Sequence, residues 1–259
     1  MCNFDWTGLA CRQSVLVIVV GLCVFACGEA DKEVVVPLIV SSDMGLLQDG
    51  SLDSTEADAM PTEAPAMARF KLLDPVTGRG VSDVTVSFDT QESVTDAQGE
   101  AVLVLPEGPY AVRMVKAGVR THTIYGVSAG IGFEQVTYFS SERITGLVFG
   151  SLGIADDPEA GTVVVGLDLP SLAPAIGASA ALDLASAAPF VLSQSGAVGG
   201  DTIGQGQLGF VSFPNTEVGE ATITVTYPQG ECAVFPAEAG ASGLVVTAGE
   251  VSIVAYTCR

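Results

Sequence analysis

Apolar and polar residues alternate with a period of two along several short stretches of this chain. In VTVSF (84–88), Val84, Val86 and Phe88 fall on one face. In YAVRMVK (110–116), Tyr110, Val112 and Met114 share a face, with Arg113 opposite. In EATITVTY (220–227), Ala221, Ile223, Val225 and Tyr227 alternate with three Thr. Such alternation predicts half-buried antiparallel strands. AVLVLP (101–106) is apolar without a break and predicts a strand covered on both faces. FEQVTYF (133–139) also reads as a strand. Gly and Pro interrupt these runs at intervals of about ten residues, the spacing of a β-sandwich.

The pattern repeats. QGEAVLVLPEGPYAVRMVKAG (98–118) resembles GQLGFVSFPNTEVGEATITVTYPQG (206–230). In each, a Gly-containing turn leads to an apolar strand ending at Pro, then another Gly turn and an alternating strand. Pro106 corresponds to Pro214, Gly108 to Gly219 and Val112 to Ile223. Upstream, GVSDVTV (80–86) loosely matches PAIGASA (174–180). Two copies of one unit, joined near Ser141–Arg143, account for this.

Composition agrees with an all-β chain. Apolar residues make up 48% of the 259 and charged residues 15%, which is enough apolar material for packed cores. Gly is abundant, Val, Thr, Ala and Ser dominate, and long runs of Leu, Glu and Lys are absent.

One segment breaks the pattern. Residues 15–26 are continuously apolar. Twelve residues are too few to span a bilayer, which needs about 20, but they suit the core of a signal peptide. Arg12 supplies a positive charge ahead of the run, although Asp5 is there too. The run ends Val24-Phe25-Ala26-Cys27, which resembles the lipobox of bacterial lipoproteins: a branched apolar residue, a small residue, then Cys. Phe25 is bulkier than that pattern usually has. The resemblance implies acylation of Cys27, which would become the N-terminus of an envelope protein held to a membrane by its lipid. Two or more acyl chains hold a protein stably, whereas one does so only marginally. Gly28 follows without an Asp, which in that family points to the outer membrane. The other readings are a secreted protein cut near Ala26 and an uncleaved anchor.

The cysteines fit export. Of six, Cys2, Cys11 and Cys23 lie in the leader and Cys27 would take the lipid. Cys232 and Cys258 remain, an even pair in an oxidising compartment. A disulfide between them would close a loop of about 27 residues and contribute about 3.5 kcal/mol in the chain-entropy picture. Two Cys with no nearby His are too few ligands for a metal.

Charge divides the chain. The formal net charge is −20. Residues 28–67 carry nine acids and one base, 68–143 nine acids and seven bases, and 144–258 eleven acids and no base. Such a surface repels phosphate backbones, so nucleic acid is excluded as a partner. The acidic stretch SSDMGLLQDGSLDSTEADAMPTEAPA reads as an extended tether. VVVPLIV (34–40) is its apolar exception.

A family resemblance covers about 68–140. GRGVSDVTVSF followed by SVTDAQGEAVLVLPEGPYAVRMVKAG resembles a carboxypeptidase regulatory-like domain, through Thr95, Asp96, Gly99, Ala101, Leu105, Pro106, Gly108, Tyr110 and Val112. The second copy, over 144–258, lacks the Thr-Asp and the Tyr. The resemblance implies a transthyretin-like or collagen-adhesin B-type sandwich, an extracytoplasmic setting and no catalytic activity. Collagen-adhesin relatives use Lys–Asn isopeptide bonds. Here the first copy has Lys71 and Lys116 but no Asn, and the second has Asn215 but no Lys. The expected architecture is thus two tandem immunoglobulin-like or transthyretin-like antiparallel β-sandwich domains, 68–142 and 143–259, behind a signal peptide (1–26) and an acidic flexible tether (27–67).

Motifs with chemical meaning fail on context. GVSAG (126–130) fits a hydrolase nucleophile elbow, but that needs a following helix and a later His. The single His, His122, comes earlier and reads as an ordinary strand side chain. GQGQLG (204–209) fits a dinucleotide loop, but a strand follows where a helix is required. ADDPEAG (155–161) places Asp156, Asp157 and Glu159 in one turn, where calcium would need six to eight oxygens. Trp6, the one Trp, is in the leader, which weighs against a sugar platform. Tyr110, Tyr125, Tyr138, Tyr227 and Tyr256 remain for such a role. The sequence therefore predicts a non-enzymatic structural or protein-interaction module without a cofactor. A glycan or cell-wall ligand is the second reading.

Overall fold

The computed structural model describes residues 67–75, 77–193, 196–236 and 243–259. The leader, Cys27, VVVPLIV and the tether to residue 66 lie outside the described residues. Seven strands precede a helix: β1 (Met67–Leu73), β2 (Thr85–Phe88), β3 (Gln91–Val94), β4 (Glu100–Val104), β5 (Gly108–Val115), β6 (His122–Ser128) and β7 (Phe133–Tyr138). After α1 (Glu142–Ser151) come β8 (Gly161–Asp168), β9 (Ser179–Leu182), β10 (Phe190–Ser193), β11 (Gly196–Gly199) and β12 (Gln207–Thr216). The chain ends with β13 (Gly219–Glu220), β14 (Ile223–Thr226), β15 (Cys232–Val234), β16 (Val245–Val246) and β17 (Val251–Cys258).

The fold is all-β with two sandwich cores, as the alternation predicts. What the alternation does not show is that both cores rest on one ten-stranded sheet. Its order is β11-β10-β12-β8-β17-β6-β5-β2-β3, with β15 also on β17. The final strand lies in the middle. It runs parallel to β8 along Val251–Thr257 and parallel to β6 along Val251–Val254. Beyond β6 the same edge of β17 takes β15, antiparallel, with Cys232 opposite Cys258. That pair forms the disulfide.

Successive side chains of β17 point to opposite faces of the sheet, and each face belongs to a different core. Val251 and Ile253 pack with Phe70, Leu72, Val112, Met114 and Ile124. Val254 and Cys258 pack with Val163, Val165, Leu167, Val211 and Phe213. The first core is covered by a second layer of three strands, β4-β1-β7, in which β1 and β7 are parallel. The second is covered in part by the pairs β14-β9 and β13-β16, through Ala180, Ile223 and Val246. Arg113–Glu250 and Arg120–Asp156 ion pairs join bases before α1 to acids after it.

Two local readings change. AVLVLP is not covered on both faces: Ala101, Leu103 and Leu105 are buried, while Val102 and Val104 are half-buried. β4 lies at the edge of the small layer. At Val104 a side-chain amide replaces a neighbouring strand: Gln91 Nε2 donates to the carbonyl (2.8 Å) and Gln91 Oε1 accepts from the N–H (3.1 Å). The strand buried along its whole length is β6, whose His122, Thr123 and Ser128 disguise it as polar. The second change is α1, which opens where the two copies were expected to join. Ser141 caps it by accepting from the Ile144 N–H at 3.4 Å. Glu142 in the first turn favours the positive end of the helix dipole, and Phe149 packs edge-on against Phe190.

The Thr95–Gly99 turn has a physical basis. The Thr95 hydroxyl is buried, accepts from the Val84 N–H and donates to the Val81 carbonyl. Asp96 Oδ1 accepts from the N–H groups of Gln98 and Glu100, both at 2.9 Å. Gly99 has φ +78°, and a Cβ there would collide with the Leu72 carbonyl. Only Gly fits that position.

Since β17 is shared, damage to it should reach both cores. Ile253→Ala is expected to lower stability by roughly 2–5 kcal/mol. Amide exchange should accelerate in β6 and in β8 alike, whereas independent domains would confine the change to one.

Candidate functional site

The two faces of the large sheet are not covered equally. On the face that carries Ile253, the small layer reaches only part of the way. Beyond Val164 and Ile253 the next positions on that face are Gly166 and Ala255, which stand opposite each other in the β8–β17 register. Phe210 of β12 flanks Gly166. Phe235 bonds through its N–H to the Ala255 carbonyl on the other side. Small side chains between two rings leave a floor with little above it, and a groove of about 900 Å3 opens there.

β7 forms the wall. It crosses above the sheet from Phe133, which packs edge-on against Phe235, to Tyr138, whose ring lies 6.0 Å from that of Phe210. β7 is the edge strand of its layer. Phe139 donates its N–H to Leu73 of the β1 side. By the alternation of a parallel ladder, Tyr138, Val136 and Glu134 turn their N–H and C=O away from β1. That edge faces the groove, which Glu134, Val136 and Tyr138 line. No Gln91-like cap closes it among the described residues.

The chemistry lies at one end. Asp168, the last residue of β8, follows Gly166 on the floor. A Cβ on Gly209 would collide with Asp168 Oδ1, so the glycine lets the carboxyl lie against the β12 backbone. Burial raises its pKa from 3.8 to about 7. Tyr138 is raised by burial and by the Asp168 charge, and Tyr256 by burial. Above Asp168, the turn Leu169–Pro174 is closed by Leu172 N–H to the Leu169 carbonyl and Leu169 N–H to the Ala173 carbonyl. It holds Leu172 at φ +61° with 77% of its surface exposed at the groove mouth.

The residues singled out from the sequence distribute as follows. Cys27 lies outside the described residues. Cys232 lines the groove and is bonded to Cys258. Ser128 and His122 sit at opposite ends of β6. Ser128 Oγ accepts the Gly130 N–H, and the strand β7 follows rather than a helix. His122 packs against Phe139, with Nδ1 bonded to the Arg120 carbonyl, and burial lowers its pKa to about 4. GQGQLG leads into β12. In ADDPEAG, Asp156 pairs with Arg120 and Asp157 Oδ1 accepts from the Glu159 N–H. Among the described residues no three His, Cys, Asp or Glu are placed to hold a metal ion.

Lys71 pairs with Glu100, Lys116 donates to the Ser82 carbonyl, and the Asn215 amide donates to that of Ala155. They are not brought together. Of the tyrosines, Tyr110 is buried against Gln135, Tyr125 bonds the Val245 carbonyl and Tyr227 bonds Gln229. Tyr138 and Tyr256 reach the groove. Sequence reasoning missed Asp168, Phe210 and Leu172; the one available signal was a lone acid closing the apolar strand TVVVGLD.

No protein-family model matches the chain, and no curated protein is significantly similar to it. Solved structures do match. The TIE protein of Bacillus anthracis is 16% identical at a TM-score of 0.25, over 76% of this chain and 34% of that one. A streptococcal ancillary pilin is 12% identical at 0.23, over 79% and 64%. The shaft pilin SpaA of Lactobacillus rhamnosus GG is 7% identical at 0.23, over 76% and 98%. The chain spans about a third of the first and under two thirds of the second. Among the described residues no helix is long and apolar enough to cross a membrane.

The two shifted groups act oppositely on stability. His122, with a lowered pKa, binds fewer protons when folded, so its contribution grows as pH rises from about 4 to 6.5. Asp168, with a raised pKa, binds more protons when folded, so its contribution falls as pH rises from about 4 to 7. Asp168→Asn removes only the second effect. Thermal melts should show the variant gaining on the parent between pH 4 and 7, with a constant gap above pH 7. A gap that does not change with pH would contradict the assignment.

Proposed function

We propose that this chain is a non-enzymatic interaction module of a bacterial envelope, anchored through an acylated Cys27, which binds an extended segment of a protein partner in the groove. The observation that carries the reading is the edge of β7, which no described strand pairs, facing a floor of small residues. Neighbouring strands in a layer lie about 4.8 Å apart, and stacked layers about 10 Å. A strand laid beside β7 would extend the small layer to four strands over Gly166 and Ala255. Its backbone would take up the N–H and C=O groups of Glu134, Val136 and Tyr138. Strand addition of this kind draws affinity from main-chain bonds and specificity from alternate side chains. An open edge is otherwise a liability that folds cap or charge, as Gln91 does for β4.

The address rests on the apolar run and the residues before Cys27, and the outer membrane on Gly28. The acidic chain from 28 would give the module reach from that membrane. The glycan reading draws on the rings of Tyr138 and Phe210, but the open β-edge is a feature that polypeptide uses and sugar does not.

A photoreactive residue placed at position 136 in cells tests this, with position 94 on β3 as an exposed control. Crosslinks from 136 alone, mapped to one recurrent segment of an envelope protein, are expected. Equal products from both positions, or none from 136, would remove the groove reading. A mature N-terminus downstream of Cys27 would remove the anchor.

A further inference from the structure

The groove is not uniform along β7. Near Phe133 its walls are apolar, with Phe235 and Pro236. Near Tyr138 a carboxyl, Asp168, lies close to two rings that meet across the groove, Tyr138 and Phe210. We propose that this end is a socket for a basic side chain, Lys or Arg, carried by the extended partner segment, with Asp168 as counter-charge and the rings around the alkyl stem and cationic head. The inference rests on the strand-addition reading above and names what the strand must carry.

Three observations support it. First, Asp168 is a carboxyl set on an apolar floor, and burial alone accounts for its shift. A buried carboxylate is costly without a partner charge. Among the described residues no hydrogen bond or ion pair reaches this carboxyl, and Arg259 is the one base that lines the groove. Second, the ring cluster suits a cation, since a guanidinium or ammonium over a Tyr or Phe face gains about 0.5–2 kcal/mol as it is desolvated. Third, Leu172 is held out at the mouth by a closed turn. It would cover the aliphatic stem of a side chain entering beneath it, which is how long basic residues bury their length.

The surrounding charge favours the same occupant. The ionisable groups around Asp168 are Tyr138 and Glu134 on β7, Tyr256 and Arg259 at the end of β17, and Glu231 ahead of β15. Three carboxylates and one guanidinium thus line the groove. Spacing fits as well. Side chains two apart on a strand share a face, so a basic residue seated at Asp168 places the residues two and four positions along over Ala255 and toward Phe235. The expected motif is therefore a basic residue followed at alternate positions by apolar ones.

The test is a random dodecapeptide display library panned against the full chain at pH 8, and against the full-length Asp168→Asn variant. Peptides selected by the parent should carry Lys or Arg with apolar residues at alternate positions. Replacing that basic residue by norleucine in a synthetic peptide should weaken binding tenfold or more. Asp168→Asn should do the same. The amide cannot titrate, so the variant should also lose the pH dependence of binding. For the parent, affinity should rise about tenfold from pH 6 to 8, as one proton leaves a group titrating near 7.

Selected peptides without basic residues, or binding indifferent to Asp168→Asn, would overturn the socket. So would an empty selection in which N-acetylglucosamine oligomers bind with Asp168 dependence, which would make the end a sugar site. Failure of the socket is separable from failure of the groove. Crosslinks from position 136 to an uncharged segment would sink the cation and leave strand addition standing. Absence of those crosslinks would sink strand addition itself.

Discussion

The structure depends on the parallel pairing of β17 with β6 on one side and β8 on the other. Those ladders convert two short sandwiches into one sheet. Without them Ile124 and Val164 would each lie at an open edge, and neither core would close. The pairing is demanding, because parallel neighbours cannot be joined by a tight turn and must be brought from far along the chain. β6 ends at Ser128 and β17 begins at Val251, so the contact that completes the first core forms only after the whole second half has been traced. The Cys232–Cys258 bond ties the end of that strand to β15, its neighbour where the pairing with β6 ends.

The same arrangement creates the groove. A shared sheet presents its full width on both faces, but the small layer has only three strands. Its edge strand therefore stops short, and floor positions beyond Ile253 are left without a second layer. Gly166, Ala255 and Gly209 keep that floor low. The uncovered area is a consequence of fusing two cores on one sheet, and it falls where β7 carries an edge that no described strand pairs. Structure and proposed function meet at this one mismatch between layer widths.

Most polar groups inside the fold are answered nearby, the Thr162 hydroxyl being an exception. Thr95 serves Val84 and Val81, Gln91 closes the edge at Val104, Tyr110 reaches Gln135 and His122 reaches the Arg120 carbonyl. Asp168 stands out because burial raises its pKa and, among the described residues, no such partner meets its carboxyl. A half-buried acid facing an open groove is a place where a ligand can supply what the fold does not.

The sequence by itself determined the β-class, the positions of β2, β4, β5 and β7, the pairing of Cys232 with Cys258 and the turn chemistry around Asp96 and Gly99. These follow from local rules: period-two burial, an even cysteine pair and the backbone freedom of glycine. It also carried the signal for α1, a Ser141 cap with an acid behind it, which the surrounding strand pattern masked. Tertiary structure alone decided that β17 lies in the centre, that β6 is fully buried despite its polar residues, and that Asp168, Tyr138 and Phe210 converge. The central place of β17 is set by pairing with residues 89 positions earlier on β8 and 129 positions earlier on β6, and no local pattern encodes which strand a buried edge will choose. The groove inherits that limit, because it exists only where the two layers fail to match.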